Sequence, residues 1–453
     1  MKIVIQGAGE VGSHLAKMLR GEGNEVTVID DNPGRLQNLA ANSDIFSIEG
    51  NPTSISVLRN AGVGKADLFI AVYPSVLQQM NIVGALLAKH LGAGKVIARI
   101  NDEEFLSPEN KLLFKEMGIE LMFYPERIAA DEIVDQLRHA TFSETMDFAH
   151  GRLQIGLFKL DENSPMLDLK LLEFMQGLPK EDAEKFRIIA MSRGGNTIIP
   201  KLDTVFRYGD LVFTIAKREG LDLLVKHFGK KNITIGNVMI IGGSQIAAMV
   251  AVSLAKAGIG VTIIERDPAK SVRLAEKLPD EIVVITGDGR DSSFLYEEGI
   301  SGYDAFVALT GEDETNILSC VVAKKLGVPR TIAEVESFEY SRLAEELGVD
   351  SVINKKLITA GRIFKFTLSG RARFVKYMSG TSAEVLEYTA APGSAITKKP
   401  LKDLGFPAGA IIGGIIRGSD AIIAVGDTQV EPYDRVAIFA LPDTLREIDR
   451  FFK

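Results

Sequence analysis

The two halves of this chain are copies of one another. The loop GAGEVG at residues 7–12 is matched by GGSQIA at 242–247, an offset of 235 residues. The same offset relates VTVID, which ends at Asp30, to VTIIE, which ends at Glu265. It also relates NIVGALLAKHLG to NILSCVVAKKLG. A constant offset over so long a stretch indicates a tandem duplication, in which both halves form the same structural unit.

Composition places the chain among globular proteins with several domains. A chain of 453 residues is too long for a single hydrophobic core. Its hydrophobic fraction of 46% and charged fraction of 25% are ordinary for such proteins. The net charge is −8, and basic residues are adjacent only in pairs. Because binding to phosphates of nucleic acid requires clustered Lys and Arg, we expect no nucleic-acid partner.

The chain is expected to be cytoplasmic. Met1 leads directly into a strand-like run, which is unlike a signal peptide. The longest apolar stretch, 247–264, contains Lys256 and two glycines and divides into a helix and a strand rather than a membrane span. Cys320 is the only cysteine, so no internal disulfide can form and a zinc site would lack thiolates. We expect Cys320 to be a small buried helix residue, and we predict no metal site.

Short apolar strands alternate with amphipathic helices in each half. The strand candidates of the first half are IVIQ, EVTVID, DIFSIEG, LFIAV and KVIARI, with helical stretches such as VGSHLAKMLRGEG between them. This alternation predicts an α/β fold with a doubly wound parallel sheet covered on both faces. Because the glycine loop follows the first strand, each half is predicted to contain a Rossmann-like domain.

A second repeated segment follows each Rossmann-like unit. Residues 186–216 match 409–440 with an offset of 224, which relates Arg193 to Arg417. Short β-rich runs broken by Gly, Asp and Asn predict a small α+β lobe with hairpins. The predicted domains are a first Rossmann unit at 1–142, a first C-terminal lobe at 143–230, a second Rossmann unit at 231–370 and a second C-terminal lobe at 371–453.

The first glycine loop has the pattern of a nucleotide cradle. Gly7, Gly9 and Gly12 form G-x-G-x-x-G between a strand and a helix, which allows a tight turn, close approach of phosphates and close helix packing. The helix N-terminus offers its amides to an anion. Asp30, at the end of the second strand, can accept both ribose hydroxyls and would repel a 2′-phosphate, which favours NAD or another unphosphorylated adenine nucleotide over NADP. A glycine turn that serves only packing is the alternative. Glu10 is expected to point away from the phosphates.

The second glycine loop departs from this pattern. Gly242 and Gly243 are present, but Ser244 stands at the second motif glycine and Ala247 at the third. These small residues still permit close approach, and Glu265 provides the ribose carboxylate. A second nucleotide site is therefore predicted, and a degenerate loop that binds nothing is the alternative.

Other residues follow the strands of each unit. Asn51 and Asp288 come after the third strand, where they border the adenine or form an ordinary turn. Arg99 ends the fifth strand and can contact a phosphate through its planar guanidinium, whereas its counterpart is Glu334. The predicted cofactor-binding residues are Gly7, Ala8, Gly9, Glu10, Val11, Gly12, Asp30, Asn51, Thr53, Tyr73, Arg99, Gly242, Gly243, Ser244, Gln245, Ile246, Glu265, Asp288 and Thr310.

The residues do not indicate a reaction. Hydride transfer usually needs a proton donor beside the nicotinamide, and the five histidines form no ligand-spaced pair or catalytic motif. No G-x-S-x-G, H-E-x-x-H or Walker A sequence is present. The C-terminal lobes, which would supply substrate chemistry, have the pattern of small duplicated β modules. We therefore predict that the chain is not an enzyme and has no catalytic residues.

The chain resembles a known family over essentially its whole length. The resemblance is carried by IVIQGAGEVGSHLAKML, VTVID and YPERIAADEIVDQLR in the first half, and by ITGDGRDSSFLYEEGI and DAFVALTGEDETNIL in the second. SRGGNTIIPKLDTVFRYGDLVFTIA is similar to the C-terminal lobe signature of the same family. These stretches resemble the TrkA family, the peripheral nucleotide-binding subunits of Trk potassium-uptake systems, which contain two RCK (KTN) domains in tandem.

The resemblance implies a regulatory subunit that is peripheral on the inner face of the membrane. It implies a homo-oligomer, a tetrameric ring, beneath a membrane potassium-translocating subunit of the TrkH or TrkG type. Binding of NAD(H), and also of ATP or ADP, would change the ring and so gate potassium uptake, provided that the ligand binds two ring conformations unequally. The helical stretches IAADEIVDQLRHA and LITAGRIFKFTL would join lobes and neighbouring subunits, or else pack within their own chain.

Two other functions remain open from the sequence. One is an NAD-dependent oxidoreductase of the saccharopine-reductase-like type, which would consume its cofactor. The other is a nucleotide-sensing scaffold without a channel partner.

Overall fold

The chain forms two compact units in a computed structural model. The structure describes residues 1–21, 23–40, 45–73, 78–142, 144–148, 151–230, 233–364, 372–377, 381 and 383–452. Unit 1 contains Met1–Ala129 and the helix that begins at Lys355, and unit 2 contains Ala130–Asn354 and the C-terminal strands and helix.

A six-stranded parallel sheet with the strand order β3-β2-β1-β4-β5-β6 is the centre of unit 1. This order is that of a Rossmann-like, doubly wound sheet, as predicted. The sixth strand has only three residues and was not predicted. The strands are β1 (Lys2–Gln6), β2 (Glu25–Asp30), β3 (Phe46–Glu49), β4 (Leu68–Ala71), β5 (Lys95–Arg99) and β6 (Leu121–Phe123). The helices are α1 (Glu10–Gly21), α2 (Pro33–Ala40), α3 (Ile55–Asn60), α4 (Gln78–Leu91), α5 (Pro108–Glu116) and α6 (Pro125–Arg138), the last of which continues into unit 2.

An antiparallel sheet with the strand order β10-β9-β11-β8-β7 follows in unit 2. The predicted hairpin is present between β9 and β10, where Gly194 and Gly195 adopt left-handed φ values of 56° and 80°. The strands are β7 (Glu144–Phe148), β8 (Leu153–Lys159), β9 (Phe186–Arg193), β10 (Asn196–Ile198) and β11 (Leu211–Lys217). The helices are α7 (Leu171–Gln176), α8 (Lys180–Ala183) and α9 (Leu221–His227).

The second parallel sheet repeats the order of the first, as β14-β13-β12-β15-β16-β17. Cys320 is fully buried in the core of this sheet, as predicted, and burial raises the pKa of its thiol. The strands are β12 (Asn237–Ile241), β13 (Gly260–Glu265), β14 (Ile282–Thr286), β15 (Ala305–Ala308), β16 (Arg330–Glu334) and β17 (Ser351–Ile353). The helices are α10 (Gln245–Ala255), α11 (Pro268–Lys277), α12 (Ser292–Glu297), α13 (Asp313–Lys325), α14 (Phe338–Glu346) and α15 (Lys355–Phe364).

The last sheet has the order β18-β19-β22-β20-β21, which matches the first antiparallel sheet strand for strand. Its strands are β18 (Ala372–Tyr377), β19 (Glu384–Thr389), β20 (Ala410–Arg417), β21 (Asp420–Ile423) and β22 (Arg435–Ala440), followed by α16 (Leu445–Phe451). The duplication predicted from the sequence therefore extends to both kinds of sheet.

The two antiparallel sheets share one hydrophobic core. Ile155, Ile215 and Phe213 of the first sheet pack in the same cluster as Val385 and Phe439 of the second. The rings of Phe213 and Phe439 have centroids 5.2 Å apart. Since each sheet buries one face against the other, neither C-terminal lobe completes its core alone.

An arginine–aspartate pair with a buried carboxylate is repeated in both lobes. Asp210 is fully buried and accepts hydrogen bonds of 2.7 Å from Nε and from Nη2 of Arg193, and one of 2.8 Å from the Arg207 amide. Asp434 accepts equivalent bonds from Arg417 and from the Glu431 amide. In each lobe this carboxylate forms hydrogen bonds both to the turn before the last strand, β11 or β22, and to the arginine at the end of β9 or β20.

Removing this carboxylate is expected to destabilise the first lobe. Asp210→Ala leaves the Arg193 guanidinium and a turn amide without their acceptor, and we expect a loss of about 3 kcal/mol in unfolding free energy. Asp427→Ala, which removes an exposed carboxylate paired with Lys402, is the control and should change stability by less than about 1 kcal/mol. Urea denaturation measures both, and equal effects would contradict the assigned role.

Candidate functional site

The first glycine loop joins β1 to α1 in a turn that excludes side chains. Gly7 has φ of +107°, and a Cβ there would lie 2.7 Å from the Cα and the amide nitrogen of Tyr73. A Cβ at Gly12 would overlap the carbonyl oxygen of Gly7. Ala8 and Val11 are buried beneath the loop. The loop thus packs tightly against the end of β4 and leads directly into α1, whose first-turn amides lack intrahelical acceptors.

Asp30 connects the end of β2 to this loop. Its carboxylate is fully buried and accepts hydrogen bonds from the amides of Ala8 at 2.6 Å and Asn32 at 2.8 Å. Arg35 Nη1 lies 3.6 Å from the same carboxylate. These contacts hold the carboxylate against the loop, and its bonding to ribose hydroxyls stays a prediction.

The second glycine loop has the same arrangement. Gly242 has φ of +89°, and a Cβ there would lie 2.7 Å from the carbonyl oxygen of Leu309. Glu265 accepts hydrogen bonds from the amides of Gly243 at 2.7 Å and Asp267 at 2.9 Å. Its carboxylate also lies 2.9 Å from Nζ of Lys270. Burial alone raises the pKa of Glu265, but these three donors outweigh burial and lower it, so the carboxylate is charged at neutral pH.

Ser244 stands where the second loop lacks the motif glycine, and it has a structural role there. It is the N-cap of α10, and its hydroxyl accepts a hydrogen bond of 3.2 Å from the Ala247 amide. Serine is among the preferred N-cap residues because it satisfies one first-turn amide. The substitution thus preserves the turn while placing a hydroxyl at the position of Gly9.

An asparagine holds the neighbouring strand end in both halves. The side-chain oxygen of Asn81 accepts a 2.7 Å hydrogen bond from the Tyr73 amide, and its nitrogen donates to the Tyr73 carbonyl at 3.1 Å. Asn316 makes the same pair of bonds with Thr310, at 2.9 and 3.2 Å. Sequence analysis noted these asparagines only as markers of the repeat.

The second half contains a cleft at this edge of the sheet, with a volume of about 330 Å³. This volume lies within the roughly 300–1,000 Å³ range of small-molecule sites. Five residues of the predicted set line the cleft, whereas Gly243, Gln245 and Ile246 do not. The lining residues from that set are Gly242, Ser244, Glu265, Asp288 and Thr310.

Three cationic residues that sequence analysis missed also line this cleft: Arg266, Lys270 and Arg290. Arg290 binds Asp288 through Nε at 2.9 Å and through Nη2 at 2.7 Å, and this contact lowers the pKa of Asp288 to about 2. A comparison of the two repeats could have identified Arg266. It directly follows Glu265, whereas Asp31 follows Asp30 at the corresponding position of the first half.

The turn after the third strand is locally closed in the first half. Asn51 accepts hydrogen bonds from the amide of Thr53 at 2.9 Å and from its hydroxyl at 2.8 Å. Asp288 likewise accepts a bond from the Arg290 amide at 3.1 Å. Both residues form the ordinary turn that the sequence left open, and their contact with adenine stays a prediction.

Tyr73 distinguishes the first cradle from the second. Its hydroxyl donates a 2.7 Å hydrogen bond to Asp31, so the side chain reaches from the end of β4 past β1 to the end of β2. Burial, together with this bond, raises the pKa of Tyr73 to about 12. Thr310 at the same position of the second half is too short to make this connection.

Arg99 and Glu10 are both paired with other residues of unit 1. Arg99 is buried, and its Nη2 donates a 2.9 Å hydrogen bond to Glu126 at the start of α6. The Glu10 side chain is 68% exposed and lies 3.3 Å from Nζ of Lys356. Its direction relative to the phosphates stays a prediction. A contact of Arg99 with phosphate also stays a prediction.

The described residues contain neither a metal-binding cluster nor a membrane-spanning helix. Among these residues, no group of three or more His, Cys, Asp or Glu side chains is arranged to hold a metal ion. None of the described helices combines the length and apolar character needed to cross a membrane.

Two family models match the chain in alternation. The TrkA-N domain matches residues 3–125 and 238–355, and the TrkA-C domain matches residues 155–229 and 385–453. The fold and the paired glycine loops define a protein of two Rossmann-like domains, each followed by an RCK C-terminal lobe.

Curated relatives match over the whole chain. The Trk system potassium uptake protein TrkA of Azorhizobium caulinodans is 30% identical over 458 residues, covering 100% of this chain and 99% of the relative. The TrkA homolog of Archaeoglobus fulgidus is 32% identical over 460 residues, covering 100% of both. The chain belongs to the TrkA family.

Solved structures share the fold. The GsuK RCK domain has a TM-score of 0.60 and 18% identity, covering 100% of this chain and 94% of that one. The GsuK channel bound to NAD has a TM-score of 0.60 and 19% identity, covering 99% of this chain and 78% of that one.

Proposed function

We propose that the chain is the nucleotide-sensing regulatory subunit of a potassium-uptake system. In this proposal it binds NAD(H), and also ATP or ADP, at its two glycine loops. Binding changes the conformation of the subunit and thereby the gating of a membrane potassium-translocating partner. The observation that carries the proposal is the repeated arrangement of a glycine with positive φ, a helix that begins directly after the loop, and a strand-end carboxylate bonded to a loop amide.

The geometry fits an adenine nucleotide at three points. The N-terminus of α1 offers amides and a partial positive charge to phosphates. The Asp30 and Glu265 carboxylates lie where ribose hydroxyls are bound in Rossmann-like folds. The cleft beside Glu265 has room for a ligand. A GsuK channel has been solved with NAD and another GsuK structure with ADP, which supports the choice of ligands.

The names of the relatives support the partner. They are potassium uptake proteins of Trk systems, so the partner proposed here is a membrane subunit of the TrkH or TrkG type, contacted on the inner face of the membrane.

The exposed face of α5 supports assembly into a homo-oligomer, for which we propose a tetrameric ring. Leu112 and Leu113 are 58% and 50% exposed, and Met117 follows them at the end of the helix at 46%. Adjacent exposed apolar side chains of this kind are typical of interaction surfaces.

Removing each strand-end carboxylate tests nucleotide binding. Calorimetric titration with NADH should show a loss of affinity of about tenfold or more at the first cradle in Asp30→Ala, and at the second in Glu265→Ala. Asp280→Ala is the control, because Asp280 is an exposed residue before β14, at the opposite edge of the sheet. This variant should bind NADH with wild-type affinity.

The same titration separates this proposal from the oxidoreductase hypothesis. A regulatory subunit returns NADH unchanged after incubation, whereas an oxidoreductase supplied with its substrate consumes it. Unchanged affinity in both carboxylate variants would contradict the ribose assignment. Failure of a membrane potassium-translocating subunit to copurify with the wild-type chain would favour the scaffold hypothesis.

A further inference from the structure

The first cradle is next to a helix that comes from the other half of the chain. α15 follows β17 after a single residue, Asn354, yet it belongs to unit 1 and packs against α1. Its first two residues are Lys355 and Lys356. The helix therefore brings two ammonium groups into the unit that holds the first glycine loop.

Lys356 lies against the first turn of α1. Its Nζ is 3.3 Å from Oε2 of Glu10, the residue that directly follows the loop glycines. The Lys356 side chain is 17% exposed, whereas that of Glu10 is 68% exposed. One turn further along α1, burial and the nearby charge of Lys356 lower the pKa of His14. These contacts place the ammonium group along the first two turns of α1, the helix whose N-terminal amides would bind phosphate.

Lys355 has a different environment. Its Nζ is 4.0 Å from Glu126, a carboxylate that also accepts the hydrogen bond from Arg99. The side chain of Glu126 is 14% exposed, so this cluster is largely buried. Lys355 is thus part of a packed ionic cluster, while Lys356 is paired with an acid at the solvent boundary of the cradle.

We propose that Lys356 is a phosphate-binding residue of the first cradle, and that Glu10 competes with the nucleotide for its ammonium group. This inference rests on the proposed function of the cradle. An ion pair with an exposed partner is weak, whereas a nucleoside diphosphate or triphosphate brings two or more negative charges to the helix N-terminus. When phosphate binds, Lys356 turns from Glu10 to the phosphate and Glu10 moves into solvent.

The proposal specifies a class of ligand. Because Lys356 contributes a point charge, it favours ligands according to their phosphate charge and not according to their base or ribose. ADP and ATP therefore gain more from Lys356 than adenosine does.

The test is a calorimetric titration of the full chain with ADP and with adenosine. Lys356→Ala should weaken ADP binding about tenfold and leave adenosine binding unchanged. Glu10→Gln removes the competitor and should tighten ADP binding about threefold. Lys356→Arg should retain most of the affinity for ADP. Lys355→Ala is the matched control because it removes a lysine from the same turn of α15, and it should keep the wild-type preference for ADP over adenosine.

Opposite changes in ADP affinity for Glu10→Gln and Lys356→Ala distinguish this role from a structural ion pair. If the pair only held α15 in place, both variants would weaken binding of ADP and adenosine alike, and the inference would be overturned. It would also be overturned if Lys356→Ala bound ADP as wild type does. A wild-type chain that bound neither ligand would contradict the proposed function itself, and circular dichroism of each variant checks that it is folded.

Discussion

Gly12→Ala is expected to abolish nucleotide binding at the first cradle and to destabilise unit 1. A Cβ at this position would overlap the Gly7 carbonyl oxygen, and both atoms belong to the backbone of one tight turn. The turn can relieve this overlap only by opening, which separates α1 from β1 and displaces the amides from the phosphate position. We expect a loss of about 2–3 kcal/mol in unfolding free energy, which is at the upper end of the destabilisation that overpacking substitutions usually cause.

Gly21→Ala is the control for Gly12→Ala because Gly21 is the last residue of the same helix. A Cβ there has no neighbour within 4 Å, so the variant should be as stable as wild type within about 0.5 kcal/mol. Guanidinium denaturation measures the stability of both, and calorimetry with NADH should give one binding site per chain for Gly12→Ala and two for Gly21→Ala. Two sites in both variants would show that the loop does not require glycine.

Phe213→Ala is expected to have the largest effect on stability. Phe213 is fully buried, and its ring packs on Phe439 in the core that joins the two antiparallel sheets. Truncation of a buried phenylalanine costs about 3–5 kcal/mol, because the lost contacts are not replaced when the cavity fails to collapse. The loss should appear in both lobes, since each lobe depends on the other for its core.

Tyr208→Ala is the control for Phe213→Ala because this aromatic residue of the same lobe is 73% exposed. Its replacement should change the unfolding free energy by no more than about 0.5 kcal/mol. Urea denaturation followed by tyrosine fluorescence and by circular dichroism measures the two variants. A small effect of Phe213→Ala would contradict the shared core.

The repeat made the fold predictable, because each half provides an independent reading of the same pattern. Five strands of the first sheet were predicted from their apolar runs, and the hairpin of each C-terminal lobe from its glycines. β6 was missed because three residues, Leu121–Phe123, are too few to show a periodicity. The membership of α15 in unit 1 depends on packing against α1, and an amphipathic pattern does not specify which sheet a helix covers.

The candidate site was predictable where backbone geometry requires a particular residue. The spacing between loop and strand end placed Asp30 and Glu265 beside the loops, and the structure bonds them to the amides of Ala8 and Gly243, which directly follow Gly7 and Gly242. Residues that reach the site from elsewhere in the chain were not found. Arg290, which lines the cleft, comes from the turn after β14. Lys356, which we propose for the first cradle, comes from α15. No local motif marks either residue as part of a binding site.

The two cradles differ in charge, and we expect them to differ in ligand preference. Around the strand ends, Asp31 and Thr53 of the first cradle correspond to Arg266 and Arg290 of the second. In the first half, Lys356 instead pairs with Glu10 at the start of α1. A subunit with two unlike sites can respond to two nucleotides, and such a response requires only that each ligand favour one conformation over another.

Potassium flux into vesicles that contain the membrane partner and the full chain tests the central claim most directly. Addition of NADH should change the flux with the wild-type chain and leave it unchanged with the double variant Asp30→Ala, Glu265→Ala. A flux that is the same with and without NADH, while the wild-type chain binds NADH in the same buffer, would contradict the claim that this protein is a nucleotide-dependent regulator.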